Sequence, residues 1–477
     1  MENHEMNILL TGATGYIGKR LLPVLVQQGH HVICCVRDTN RFNPPSSLLP
    51  YISVVQLDLL DQESLKKIPT NIDGAYYLVH SMSAAKNYAE LEQQSAINFK
   101  HALQRTNVQH VVYLSGIVNQ KELSKHLTSR KKVEQELESS NYKLTTLRAG
   151  IIIGSGSASF EIIRDLVEKL PIMVAPKWLL TRCQPIGIAD VIKLLIDTLF
   201  HEDLYDKNFD IGGPDILSYK QMLLDFAEVR GLPRRIYTVP VMTPKLSSYW
   251  LYFVTSTSYK LACALVNSMK VEVVVRNHDI KQFIQIENLP YKEALKRAFT
   301  KIKSNEIVSS WKDSFVSGNL TMNISNFINI PEYGCFRDKK SIGISNFEKC
   351  RDNIWKIGGE NGWYKANVLW KIRGLMDKLV GGVGLRRGRT HPSKIEAGDA
   401  VDFWRVLYAN RQEGRLLLFA EMKLPGEAWL EFKIENDILY QTATFRPKGV
   451  WGRLYWYLVY PFHGIIFSGM IENISKE

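Results

Sequence analysis

Thr11, Gly12, Gly15 and Gly18 form the spacing T-G-x-x-G-x-x-G directly after a short apolar run. Glycines in this pattern bring backbone N–H groups onto phosphate oxygens. Gly12 permits a tight turn, Gly15 lets the backbone approach a pyrophosphate, and Gly18 lets the next helix pack close. The start of that helix offers free N–H groups and a positive dipole end to an anion. A second set of residues chooses among dinucleotides. Arg37 ends the next apolar run, with Asp38 beside it and Arg41 shortly after. An NAD site usually puts an acid there for the ribose hydroxyls, whereas a guanidinium pairs with a 2′-phosphate. The expected ligand is therefore NADP(H) more than NAD(H). The other reading leaves Arg37 as a solvated strand end and gives the ribose to Asp38.

These residues need elements to hold them. Residues 6–10 read as a strand. Ile17, Leu21, Leu22, Leu25 and Val26 recur at helical spacing, and residues 31–36 are again strand-like. Strand signals follow at 54–61, 74–82, 110–116 and 143–154, with a long helix expected over 84–106. Such alternation implies a doubly wound parallel sheet with helices on both faces, an α/β fold.

At 477 residues the chain suits two or three domains. Its 45% hydrophobic and 23% charged content is that of a globular protein. The charge of +12 and pI of about 9.2 favour anionic partners: a phosphorylated cofactor, a membrane surface or nucleic acid. No long Lys/Arg run or nucleic-acid motif points to DNA or RNA, so none is expected as a partner. The six cysteines make no Cys-x-x-Cys pair, and no His cluster completes a metal pattern. The N-terminal residues lack a secretory pattern, and a cytoplasmic location is expected. Oligomeric state is not legible.

TGATGYIG, LDLLD, YYLVHSM, Asn98, VVYLSG, LRAGIIIG, QPIGIADV and FDIGGPDILSY resemble the extended and atypical short-chain dehydrogenase/reductases, across roughly residues 6 to 300. The resemblance implies an NAD(P)-binding Rossmann domain. Its turn would contact cofactor through Gly12, Thr14, Gly15, Tyr16, Ile17 and Gly18. Asp58 and Leu59 would line the adenine, Val79 and His80 the ribose, and Ser115 matches the family's catalytic serine. The family places Tyr-x-x-x-Lys on the next helix. Here HLTSRKKVEQELE puts His126 in the tyrosine place and Arg130 in the lysine place, with Ser129 and Glu134 matching the rest. Two readings stand. His126 serves as acid, because imidazole titrates near neutrality, while Arg130 grips ribose or phosphate; or both are polar residues on a helix that has lost its catalytic role. The chain accordingly reads as an oxidoreductase on an apolar substrate, as a non-catalytic NADP(H)-binding sensor or scaffold, or as a lipid or quinone carrier.

Residues 247–269 are rich in aromatics and read either as an apolar lid or as a packing helix. The domain boundaries expected are 1–300, a connector over 301–335 that is rich in Asn and Ser toward its end, and a second domain over 336–477. That second part reads strand, helix, antiparallel meander, long apolar helix. Ala428, Leu430, Phe432 and Ile434 alternate with Glu431, Lys433 and Glu435, the mark of a sheet with one wet face. The order is similar to the START/polyketide-cyclase (SRPBCC) helix-grip fold and to the domain of unknown function that accompanies YbjT-like reductases. Seven tryptophans here, Trp355, Trp363, Trp370, Trp404, Trp429, Trp451 and Trp456, either line a ligand cavity or pack a core. Arg386, Arg387 and Arg389 form a basic loop, for phosphate or for solvent. The terminal helix is expected to pack on the sheet through Leu458, Phe462 and Ile465, with Pro461 bending or breaking the hydrogen-bond ladder nearby. Peripheral membrane contact is a further expectation.

Overall fold

The computed structural model describes residues 5–39, 42, 44–79, 88–117, 125–155, 157–239, 269–276, 280–303, 335–379, 382, 384, 394–447 and 449–476. His80, Arg41, the aromatic stretch 247–268, most of the expected connector and the loop with Arg386, Arg387 and Arg389 lie outside them, as does the side chain of His126. The backbone divides into two compact units, the first covering most of residues 1–311 and the second most of 312–477.

In the first unit β1 (Asn7–Thr11), β2 (His31–Val36), β3 (Ile52–Gln56), β4 (Gly74–Tyr77), β5 (His110–Gly116), β6 (Lys143–Ala149) and β11 (Lys207–Ile211) pair in the order β11-β6-β5-β4-β1-β2-β3. Every pairing is parallel. The order reverses between β1 and β4, so the C-terminal ends of these strands border a crevice. Most strands are apolar on both sides because helices cover both faces. On one face α1 (Gly18–Gln27) and α6 (Ile188–Thr198) set Leu21, Leu25, Val191 and Leu195 over Ile8, Leu10 and Val32. On the other, α3 (Tyr88–Leu103) and α4 (Lys125–Leu137) set Phe99, Leu103, Val133 and Leu137 over Leu9, Ile33, Tyr77 and Tyr113. The short helix α2 (Gln62–Leu65) is capped by Asp61, whose carboxylate accepts from Glu63 N–H. The expected strand over 143–154 divides. After β6 the chain breaks at Gly150, and β7 (Ile152–Ile153) pairs with β10 (Ile186–Gly187) in a separate ribbon.

A second core in this unit joins α5 (Ala158–Lys169), α7 (Tyr219–Val229) and α9 (Tyr291–Lys303), with Phe160, Phe226 and Phe299 packed ring to ring. Around it run β8 (Ile172–Pro176) with β13 (Arg235–Val239), β9 (Arg182–Cys183) with β12 (Leu217–Ser218), and the single-turn α8 (Ile280–Phe283).

The second unit is a six-stranded antiparallel sheet. β14 (Phe336–Gly343), β15 (Ala400–Val401), β16 (Trp404–Asn410), β17 (Arg415–Ala420), β18 (Gly426–Glu435) and β19 (Ile438–Pro447) pair in the order β14-β19-β18-β17-β16-β15. Leu430, Phe432 and Ile434 are buried as the alternation requires. The helices are α10 (Phe347–Ile354), α11 (Asn367–Leu379) and α12 (Gly449–Ser475). Six of the seven tryptophans pack the core. Trp363 alone contacts Trp370, Phe403 and Trp404 at ring-centroid distances of 5.1, 6.3 and 6.0 Å. Trp451 is the exception and is exposed.

One expectation for α12 fails. The stripe on the sheet is Trp456, His463, Phe467, Met470, Ile471 and Ile474; Leu458, Phe462 and Ile465 point outward. Both stripes have helical spacing, and aromatic stacking of Trp456 on Phe336 and Phe445 decides which one turns inward. The helix also runs unbroken through Pro461. Pro461 cannot donate to the Tyr457 carbonyl, but Tyr457 is on the exposed side, so little is lost there.

Candidate dinucleotide site

The glycine turn leaves β1 at Thr11. The Thr11 hydroxyl donates to the Tyr76 carbonyl at 2.9 Å and accepts from Leu78 N–H at 3.2 Å, which locks the ends of β1 and β4 together. Gly12 has φ +72°, and a Cβ there would stand 2.9 Å from the Leu78 carbonyl oxygen. The turn closes when Gly15 N–H donates to the Gly12 carbonyl at 2.8 Å. A Cβ on Gly18 would fall 2.3 Å from that same oxygen, so α1 begins directly beneath the loop. At Gly15 a Cβ would meet only the Gly12 carbonyl, at 3.1 Å; its other side is open. No side chain caps α1; its Lys19 and Arg20 N–H groups turn back to the Gly15 and Ile17 carbonyls at 3.1 and 3.0 Å, and the positive dipole end of the helix lies at the turn. The turn thus has the strand–glycine–helix geometry that the spacing predicts.

The turn is braced from behind. Arg20 donates to the Tyr16 carbonyl at 3.1 Å and to the Ser155 carbonyl at 2.8 Å, and its guanidinium lies 3.9 Å from the Tyr16 ring centre. Burial pushes the Tyr16 hydroxyl up to about 12, against the pull of Arg20. Tyr16 thus works as a packed prop at neutral pH.

At the end of β2 the Arg37 side chain is exposed and Asp38 is buried. The Asp58 carboxylate accepts from Leu60 N–H at 3.0 Å and shapes its own turn. Asn98 on α3 donates to the Leu59 carbonyl at 2.8 Å, tying that turn to the helix. Val79 and Leu78 are half-buried at the end of β4.

Arg130 reaches the end of β5 at Gly116, the residue after Ser115. Ser115 is the penultimate residue of β5 and is 2% exposed. A Cβ on the next residue, Gly116, would touch Nη1 and Cδ of Arg130 at 3.0 and 3.2 Å. Side-chain bonds from α3 and β6 hold α4 in position. Ser129 donates to the Glu92 carboxylate of α3 at 2.5 Å, and Arg148 of β6 grips Glu134 through two nitrogens.

Tyr113, which the motif reading passed over, belongs to this group. It is two residues before Ser115 on the same face of β5, a period that would have revealed it. Burial raises its hydroxyl to about 12, while the neighbouring Arg130 guanidinium and Ser115 hydroxyl pull it down. The Ser115 hydroxyl stands beside it without a well-formed hydrogen bond among the described residues. Nothing here resembles a metal centre: among the described residues no three His, Cys, Asp or Glu side chains gather as ligands.

Comparison with known proteins agrees with this geometry. Residues 12–167 match a family described as NAD(P)H-binding, and residues 334–470 match a family described as protein of unknown function (DUF2867). The chloroplastic divinyl chlorophyllide a 8-vinyl-reductase of Cucumis sativus is 26% identical over 227 residues, 44% of this chain and 53% of that protein. The chain thus spans about half the length of such relatives. Among solved structures, UDP-glucose 4-epimerase from Thermotoga maritima is 14% identical with a TM-score of 0.50, over 63% of this chain and 99% of that one. Triphenylmethane reductase from Citrobacter sp. is 17% identical with a TM-score of 0.50, over 62% and 99%. The first unit is an NAD(P)-binding Rossmann domain. The chain joins it to a domain of the DUF2867 family.

Proposed function

We propose that the chain is an NADPH-dependent reductase of an apolar substrate that works without a tyrosine acid. The observation that carries this is the packing of Arg130 against the end of β5, beside Ser115, next to a complete dinucleotide cradle. A protein that had merely lost its catalytic helix would have no need to keep a guanidinium there. An exposed Arg37 at the end of β2 supports NADPH over NADH, because a guanidinium there can pair with a ribose 2′-phosphate.

Bound NADPH supplies hydride. The residues of the chain would bind and orient the cofactor: the glycine turn and the start of α1 would hold the pyrophosphate, and Arg130 would hold the ribose as the family's lysine would. Ser115 offers a hydrogen bond to the substrate. A ketone reduction must protonate an alkoxide, which is the work of the absent tyrosine. Reduction of a conjugated carbon–carbon double bond puts the proton on carbon, and water serves as its source. The 8-vinyl-reductases among the relatives support this choice.

NADPH oxidation followed with simple ketones and with conjugated alkenes and quinones tests the reading. Turnover is expected with the conjugated panel only. The absence of the Tyr-x-x-x-Lys pair favours one other reading, an NADPH-binding sensor. Tight NADPH binding with no oxidation by any compound selects it.

A further inference from the structure

α11 is amphipathic in the wrong sense for a helix bathed in water. Its charged Asp377 and Lys378 are buried, and Asp377 accepts from Gly384 N–H at 2.8 Å and Lys423 N–H at 2.7 Å. Its outward side is Val368, Leu369, Ile372, Leu375, Met376 and Leu379, the last 67% exposed. α12 shows the same inversion along its first half. Trp451, Leu454, Tyr457, Leu458, Phe462 and Ile465 face outward, with Leu458 64% exposed. The two helices touch, because Arg373 of α11 donates to the Tyr455 hydroxyl of α12 at 2.6 Å. Two helices that meet at this bond thus each carry an outward apolar face, and scattered surface hydrophobes do not account for them.

We propose that this face of the second unit docks flat on an anionic lipid surface. Charge selects the occupant. Residues 367–376 carry Lys371 and Arg373 and no acid, residues 454–471 carry no charged side chain, and Arg453 and Lys365 at the margins are exposed. A second copy of the chain, related by two-fold symmetry, would set these cations against one another. Lipid phosphates would neutralise them. The aromatics fit as well: Trp451, Tyr457 and Tyr460 pair an apolar ring with a polar tip, which suits the headgroup layer.

Docking is flat and not spanning. Trp451–Ser475 is long and apolar enough to cross a bilayer, with a mean hydropathy of 1.2. Yet α12 is held to its own unit at both ends. Trp456 stacks on Phe336 at 5.3 Å, and Asn353 donates to the Ile474 carbonyl at 3.0 Å. Insertion across the membrane would strip the sheet of its cover, whereas interfacial binding uses the side already bare.

The test is flotation of the full chain with phosphatidylcholine vesicles, with and without phosphatidylglycerol. The chain should float with the anionic vesicles and lose most of that binding in high salt. Ile372→Glu with Leu375→Glu, and separately Leu458→Glu with Phe462→Glu, should each weaken flotation by about tenfold or more. Thermal melting and NADPH binding should be unchanged, since these side chains touch neither core nor cradle. Lys371→Glu with Arg453→Glu should remove the preference for phosphatidylglycerol. A full chain that stays at the bottom with both vesicle types overturns the proposal. So does equal flotation of wild type and the glutamate variants, or a dimer in sedimentation that Leu458→Glu dissolves while vesicles are ignored.

Discussion

The guanidinium of Arg130 fills the space that a side chain at Gly116 would need, with Nη1 3.0 Å from where a Cβ would stand. The glycine at the end of β5 and the arginine on α4 are therefore one feature. Gly116→Ala should displace a flexible side-chain end and cost under about 1 kcal/mol of fold stability. It should weaken NADPH binding by the same factor as Arg130→Ala, and the double variant should lose no more than either. A double-mutant cycle by isothermal titration reads this. Additive losses would show that Arg130 acts elsewhere.

Gly15 and Gly18 should separate cofactor binding from folding. A Cβ at Gly18 meets backbone at 2.3 Å, so Gly18→Ala should lower stability by about 1–3 kcal/mol and abolish NADPH binding. Gly15→Ala meets one tight contact, the Gly12 carbonyl at 3.1 Å, and should lose less stability than Gly18→Ala, yet should bind NADPH poorly because its methyl stands where the pyrophosphate approaches. Melting curves with and without NADPH distinguish the two.

Arg37→Asp should weaken NADPH by about 1.5–3 kcal/mol, the scale of a hydrogen bond to a charged group. NADH affinity should hold or rise. An unchanged NADPH to NADH ratio would return the ribose to Asp38.

His110 makes the first unit sensitive to acid. Its Nδ1 accepts from Phe200 N–H at 2.9 Å, so its Nε2–H points to Thr145 Oγ1, also at 2.9 Å. Thr145 passes its own proton to the Leu204 carbonyl at 2.7 Å. A proton on Nδ1 would face another N–H, and burial holds the pKa down at about 4 against the weaker pull of Asp206. The unfolded chain protonates this histidine near 6.5 and the folded chain only near 4. Unfolding therefore takes up a proton between those values, and stability should fall as pH drops from about 6.5 to 4. His110→Gln should flatten that part of the curve, measured by urea unfolding across pH.

Arg405 and Glu421 pair in the second unit with both side chains wholly buried. Glu421→Gln leaves a buried cation without its counter-charge and should cost about 3–5 kcal/mol. Replacing both residues with apolar ones should cost much less. Tryptophan emission from the packed Trp363 cluster reports the loss.

The cradle was legible because it is local. A glycine triplet between a strand and a helix needs no distant partner to announce itself, and the period-2 and period-3.6 patterns around it set β1, α1 and β2. The meander of the second unit was legible for the same reason: Leu430, Phe432 and Ile434 alternate within one strand. What only the tertiary structure decided is which of several equivalent surfaces turns inward. On α12 two apolar stripes share one periodicity, and stacking of Trp456 between Phe336 and Phe445, residues far apart in the chain, chose between them. On α11 the burial of Asp377 rests on N–H groups of Gly384 and Lys423, which no helical pattern can anticipate. The meeting of Ser115, Tyr113 and Arg130 likewise depends on α4 docking through Ser129 and Glu134 onto Glu92 and Arg148. Periodicity states that a face exists; long-range contacts with their own geometry determine what that face touches.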